Sequence, residues 1–203
     1  MTYEKLVEGL PEPVFDLAFV RQRFAVSEAE KASLAVQLSR WEAKGKIIRL
    51  RRGLYALPKQ RSNALETANR LVEPSYISGE YALSYFGLIQ DATFEVTCAC
   101  MNTPRRARLQ QGNSRYSYRQ VKVFGGFSSI EIDGKNVLFA SPEKALVDTW
   151  HWSPGEWTRE RHREMRYESR ELVNGERLMS WAEKFPRRVC EAARIYLELG
   201  HEG

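Results

Sequence analysis

Residues 27–58 read SEAEKASLAVQLSRWEAKGKIIRLRRGLYALP, a pattern that describes one long helix running into a two-stranded basic hairpin. Ser27 is a hydroxyl N-cap, and Glu30 three residues on completes a capping box. Leu34, Leu38 and Trp41 recur at helical spacing and face inward. Ser33, Gln37, Arg40 and Lys44 step by four, three and four, so they share another face. Gly45, a residue that tolerates positive φ, ends the helix. Ile47 to Arg51 is alternating and β-branched, which sends Ile48 and Leu50 one way and Arg49 and Arg51 the other. Arg52-Gly53 is a tight turn, and Leu54 to Leu57 returns as the second strand.

A helix with a polar face followed by an arginine-edged hairpin is the pattern of a winged helix-turn-helix. Its helix enters the major groove of DNA while the hairpin lies along phosphates. Lysines and arginines on exposed helices and hairpins are often only a solvated surface. Here no acidic residue occurs between Glu42 and Glu66, while Lys44, Lys46, Arg49, Arg51, Arg52, Lys59 and Arg61 do. A surface kept soluble for its own sake mixes signs, whereas a single-sign patch on this signature is an electrostatic footprint for nucleic acid. The candidate recognition residues are therefore Ser33, Gln37, Arg40 and Lys44, and the candidate wing residues are Lys46, Arg49, Arg51 and Arg52. Gln37 suits an adenine edge and Arg40 a guanine edge.

Before this stretch, Thr2 to Leu10 reads as a short amphipathic helix. Pro13 to Phe24 reads as a second helix, with Phe15, Leu17, Val20 and Phe24 as its apolar set. Residues 59–62, KQRS, form a polar joint that divides the chain into 1–60 and 61–203. Beyond it come a helix over 63–72, a short strand at Tyr76-Ile77 and a helix opened by Ser78-Gly79. Strands follow over Thr93 to Cys100 and Tyr116 to Phe124. Asp133-Gly134 turns a hairpin between Ile130–Ile132 and Val137–Phe139. Ser141 caps a helix that has Pro142 at its first position and turns Ala145, Leu146 and Trp150 inward. Helices over 156–169, 174–184 and 187–199 complete the chain. The fold class expected is α+β: a winged helix-turn-helix, then an α+β domain with a small antiparallel sheet and C-terminal helices.

A chain of 203 residues with 43% hydrophobic and 11% aromatic residues holds enough apolar matter for a core. The formal charge of +5 permits a polyanionic partner without requiring one. The three cysteines, Cys98, Cys100 and Cys190, form no C-x-x-C pair, and an odd count argues for a reducing compartment. No secretory leader or membrane-spanning run is present, so a cytoplasmic setting is expected. Catalytic motifs are absent: no nucleophile has a signalled base, no zinc spacing or phosphate loop occurs, and no cofactor or metal is implied. Glu95 and Glu131-Ile-Asp133 place carboxylates on strands, but neither supplies the lysine of a nuclease motif. A second acid-free stretch between Glu95 and Glu131 carries Arg105, Arg106 and Arg108. These arginines either extend a nucleic-acid contact or guard a strand edge against pairing.

Three blocks together resemble the AbiEi family, the antitoxin and regulator half of abortive-infection toxin–antitoxin pairs. They are GKIIRLRRGLYAL (45–57), YISGEYALSYFGLI (76–89) and ASPEKALVDTW (140–150), the last preceded by the basic TPRRARL (103–109). The resemblance implies a regulator that binds double-stranded operator DNA and represses its own operon, and the missing catalytic motifs point away from an enzyme. It also implies that a second domain counteracts a cognate nucleotidyltransferase-like toxin. The carry-over to wing residues covers Lys46, Arg49, Arg51, Arg52 and Tyr55. A stand-alone regulator without a toxin keeps the same architecture, and a DNA-acting nuclease is the remaining alternative. Inverted half-sites would favour pairing of two chains on DNA.

Overall fold

The structure is a computed structural model that describes residues 1–58, 63–91, 93–101, 106–111 and 114–201; over 106–111 and at 201 it describes the backbone only. The chain divides into two compact units, Met1–Leu71 and Val72–Gly203. The expected joint, residues 59–62, lies outside the described residues. The helix after it, Ala64–Leu71, belongs to the first unit, so the division falls later than the expected 60/61. Leu65, Ala68 and Leu71 are buried, and Arg70 pairs with Glu12 and Asp16, which explains why this helix stays with the first unit.

In the first unit, α1 (Tyr3–Gly9) is capped by Thr2, whose hydroxyl accepts from the Lys5 amide. β1 (Val14–Asp16) leads directly into α2 (Leu17–Arg23). A 3-10 turn (Glu28–Glu30) precedes α3 (Lys31–Ala43), and β2 (Ile48–Arg51), β3 (Leu54–Ala56) and α4 (Ala64–Leu71) follow. The strands form an antiparallel sheet in the order β1-β3-β2. The expected helix over Pro13–Phe24 thus opens with a three-residue strand. Val14 and Phe15 find partners in Ala56 and Tyr55, and Phe15 stacks on Tyr55 at 5.8 Å. The helix begins only where Asp16 accepts from the Phe19 amide at 2.6 Å. Pairing with a strand some forty residues away overrode local helical periodicity. Leu6, Val20, Leu34, Leu38, Trp41 and Ile47 close the core beneath the sheet.

The second unit contains β4 (Ser75–Ile77), α5 (Gly79–Tyr85), β5 (Glu95–Cys100), β6 (Arg106–Gln111), β7 (Ser114–Gln120), β8 (Phe127–Ile132) and β9 (Lys135–Ala140), followed by α6 (Pro142–Trp152), α7 (Arg159–Glu164), α8 (Gly175–Ala182) and α9 (Arg187–His201). Its sheet is not the small antiparallel one expected. It has six strands in the order β6-β7-β5-β4-β9-β8, and β4/β9 and β5/β7 are parallel pairs. Alternation along a segment marks a strand but does not select its neighbours. The helix expected over 156–169 is confined to α7, because Arg166 and Ser169 take left-handed φ values of 46°. The Asp133-Gly134 hairpin and the Ser141 cap form as expected.

Candidate nucleic-acid interface

The long helix and basic hairpin begin at a tight N-terminal lock. The Glu30 carboxylate accepts from the Ser27 amide at 3.0 Å and from its hydroxyl at 2.7 Å. These bonds hold the Glu30 carboxyl below the usual carboxylate range. Leu34, Leu38 and Trp41 are buried as the spacing requires. At the other end Gly45 has φ 64°. The Lys46 amide donates to the Trp41 carbonyl at 2.8 Å, which closes a six-residue C-cap. Buried Ile47 then fixes the angle at which the chain leaves for β2.

Ser33, Arg40 and Lys44 are exposed along one side of α3, and Gln37 among them is half-buried. The Gln37 side-chain amide donates to the Met1 carbonyl at 2.6 Å, so the N-terminal segment is braced against this side of the helix. The Lys46 ammonium lies 4.7 Å from the Tyr3 ring centroid. The Tyr3 hydroxyl in turn donates to the Lys46 carbonyl at 3.0 Å. Arg49, Arg51 and Arg52 are exposed on β2 and its turn, with Gly53 at φ 81° completing the turn.

The wing departs from simple alternation. A bulge separates Arg49, opposite Tyr55, from Arg51, opposite Leu54. Because Tyr55 and Leu54 are consecutive and face opposite ways, Arg49 and Arg51 lie on opposite faces of the sheet, not on one face as expected. Arg51 reaches back, its guanidinium donating to the Arg70 carbonyl at 3.4 Å.

In the second unit Arg105 lies outside the described residues. Arg106 and Arg108 stand on β6, an edge strand, opposite Arg119 and Ser117 of β7. Arg119 is held within its own unit: it donates to the Trp152 carbonyl at 3.4 Å and lies over the Trp152 ring. Carboxylates do not gather here for metal chemistry. Glu95 on β5 and Glu131 on β8 are separated by β4 and β9, roughly 14 Å at the usual strand spacing. Among the described residues no group of three His, Cys, Asp or Glu side chains is placed to hold a metal ion. Cys98 and Cys100 are buried and not joined in a disulfide, and burial pushes the Cys98 thiol up.

Sequence reasoning missed a buried polar cluster around α6. Lys144 and Asp148, one turn apart and fully buried, form an ion pair. The Asp148 carboxylate also accepts from the Ser78 hydroxyl at 2.7 Å and the Tyr76 hydroxyl at 3.1 Å. Burial lowers the Lys144 pKa and raises that of Asp148, each opposed by the partner's charge. The available signal was a Lys and an Asp at i, i+4 with only apolar Ala145, Leu146 and Val147 between them. With the Lys144 ammonium also 5.1 Å from the Phe185 ring centroid, this cluster ties the sheet to the C-terminal helices. Both charged side chains are fully buried, and the chemistry of the cluster is that of a structural pair.

Among the described residues no helix is long and apolar enough to cross a membrane. Residues 13–58 match the family described as AbiEi antitoxin transcriptional regulators. The matched span runs from β1 through β3 and takes in the block 45–57; the blocks 76–89 and 140–150 lie beyond it. Comparison with curated proteins returns no match.

Proposed function

We propose that the first unit is a winged helix-turn-helix that binds operator DNA, and that the chain is a non-enzymatic, cytoplasmic regulator of its own operon. In this reading α3 enters the major groove, where Ser33, Gln37, Arg40 and Lys44 meet base edges. Lys46, Arg49, Arg51 and Arg52 carry the β2–β3 wing along the backbone. The element order, with a strand between the first two helices and a hairpin after the third, supports this. The observation that carries the reading is the set of exposed cations Lys44, Lys46, Arg49, Arg51 and Arg52 in an acid-free run. It continues directly from the exposed side of α3, inside the span that matches a regulator family. A duplex presents about one charge per 1.7 Å, and a same-sign ribbon of this kind is what it attracts.

The second unit is proposed as the partner-binding half, counteracting a toxin encoded beside it, as the antitoxin description of the family suggests. Arg105, Arg106 and Arg108 are proposed as a further contact with DNA. Two chains on inverted half-sites would pair on the operator.

The test is a titration of the full chain against the duplex upstream of its own gene, at several salt concentrations. Binding that is tighter than to a scrambled duplex, with log K falling linearly against log salt, is the expected result. Equal, weak binding to both duplexes would overturn the regulator reading. Co-expression with the product of the adjacent reading frame tests the antitoxin half. Stable co-purification and relief of growth arrest are expected, and their absence leaves a stand-alone regulator.

A further inference from the structure

At 3.6 residues per turn, Ala32, Val36, Ser39 and Ala43 fall on the pole of α3 opposite buried Leu34, Leu38 and Trp41. All four are exposed. The set Ser33, Gln37, Arg40 and Lys44 is offset to one flank of that pole. The most outward line of the helix is therefore short and uncharged, with one large apolar side chain, Val36, 51% exposed.

A single exposed valine is ordinary on a protein surface. The setting of Val36 is not. It sits mid-helix, where a β-branched residue costs helix stability relative to alanine or lysine and gains nothing from packing. Arg40 stands one turn on. Ala32 and Ala43, before and after it, extend only a methyl from the backbone, so a docked surface can approach the helix closely around the valine. Among the described residues of the first unit, the other exposed large hydrophobic side chain is Ile48, at 39%, on the wing strand β2. Both thus belong to the two elements that the DNA-binding reading places against a duplex.

In the major groove only thymine projects an apolar group, its 5-methyl; the other base edges offer hydrogen-bond donors and acceptors. We propose that Val36 reads a thymine methyl, so that the preferred site carries an A·T pair at the position beneath the middle of α3. This rests on the reading of α3 as the groove-entering helix and adds the base class that its centre selects.

The experiment uses the full chain. Tight duplexes are selected from a random library, and each thymine of the selected site is then replaced singly by deoxyuridine, which removes the 5-methyl and nothing else. The expected result is a thymine at which this replacement weakens binding about four-fold, the scale of one buried methyl group. Val36→Ala should bind the selected site more weakly by a similar factor and show no further loss with deoxyuridine there. Alanine favours the helix, so this variant keeps the fold, which a thermal melt verifies. If the chain selects duplexes but no thymine shows a methyl effect that depends on Val36, the inference fails while the DNA-binding reading stands. If no duplex is selected at all, both fall.

Discussion

Single side chains of the proposed interface differ in what already holds them. Gln37 spends an N–H on the Met1 carbonyl, yet its oxygen and second N–H keep the donor–acceptor pair that an adenine edge needs. Gln37→Ala is expected to change which duplexes are preferred in a binding selection. An equal loss on every sequence would reduce Gln37 to a brace for the N-terminal segment. Gly45 is constrained differently. Its φ of 64° lies in the left-handed region, and a Cβ there would meet nothing within 4 Å. The penalty for a side chain is thus conformational alone. Gly45→Ala should lower the stability of the first unit by about 1 kcal/mol in denaturant unfolding. A neutral result would mean that the C-cap is not what sets the exit of the chain from α3.

Among the elements, the wing is where register matters most. The bulge in β2 separates Arg49 from Arg51 by a face, so the two cannot meet the same phosphates equally. Arg52 sits in the turn between the strands. Replacing Arg51 and Arg52 by alanine should weaken binding to all duplexes alike and lower the salt slope by about one unit each. Single replacements at Arg49 and Arg51 should lower it unequally; equal slopes would contradict the opposed placement. The edge strand β6 has its own test. Neutralising Arg105, Arg106 and Arg108 together should flatten the salt dependence if this strip touches DNA. An unchanged slope would leave them as guards against edge pairing.

Across the whole molecule, the second unit is held by buried polar contacts that sequence periodicity does not display. Arg188 on α9 donates to the carbonyls of Trp150, His151, Ser153 and Gly155, satisfying the C-terminal end of α6. Lys144 and Asp148 form a fully buried pair in the same helix. Removing one partner strands the other charge out of water. Lys144→Met should therefore cost roughly 3–5 kcal/mol in unfolding free energy. His162 provides a pH readout. Packed among Trp150, Trp157 and Tyr167, it has its pKa pushed down from 6.5 to about 4, first by burial and then by Arg170 and Arg161. Below about pH 6.5 the unfolded chain takes up a proton that the folded chain refuses. Stability should thus be insensitive to this group above pH 6.5, fall by roughly 3 kcal/mol as pH drops toward 4, and level off beneath. His162→Phe should remove that portion of the pH dependence.

Some of this was written in the linear order of residues. The Ser27–Glu30 lock, the Leu34, Leu38, Trp41 stripe, the Gly45 stop, the two-residue turn at Arg52-Gly53 and the acid-free run all rest on neighbours within a turn or two. Such features follow from local rules of capping, periodicity and charge. What lay beyond reach depended on partners far along the chain. Val14 and Phe15 became a strand because Ala56 and Tyr55 pair with them. Six strands of the second unit took a mixed order that no single strand encodes. One bulge sent two arginines to opposite faces, and Lys144 and Asp148 found each other in a buried interior. The linear order of residues already set where the long helix and its cationic hairpin begin and end, because that information is local. Which face each side chain takes came with the folded chain, because strand register and burial are set by long-range pairing.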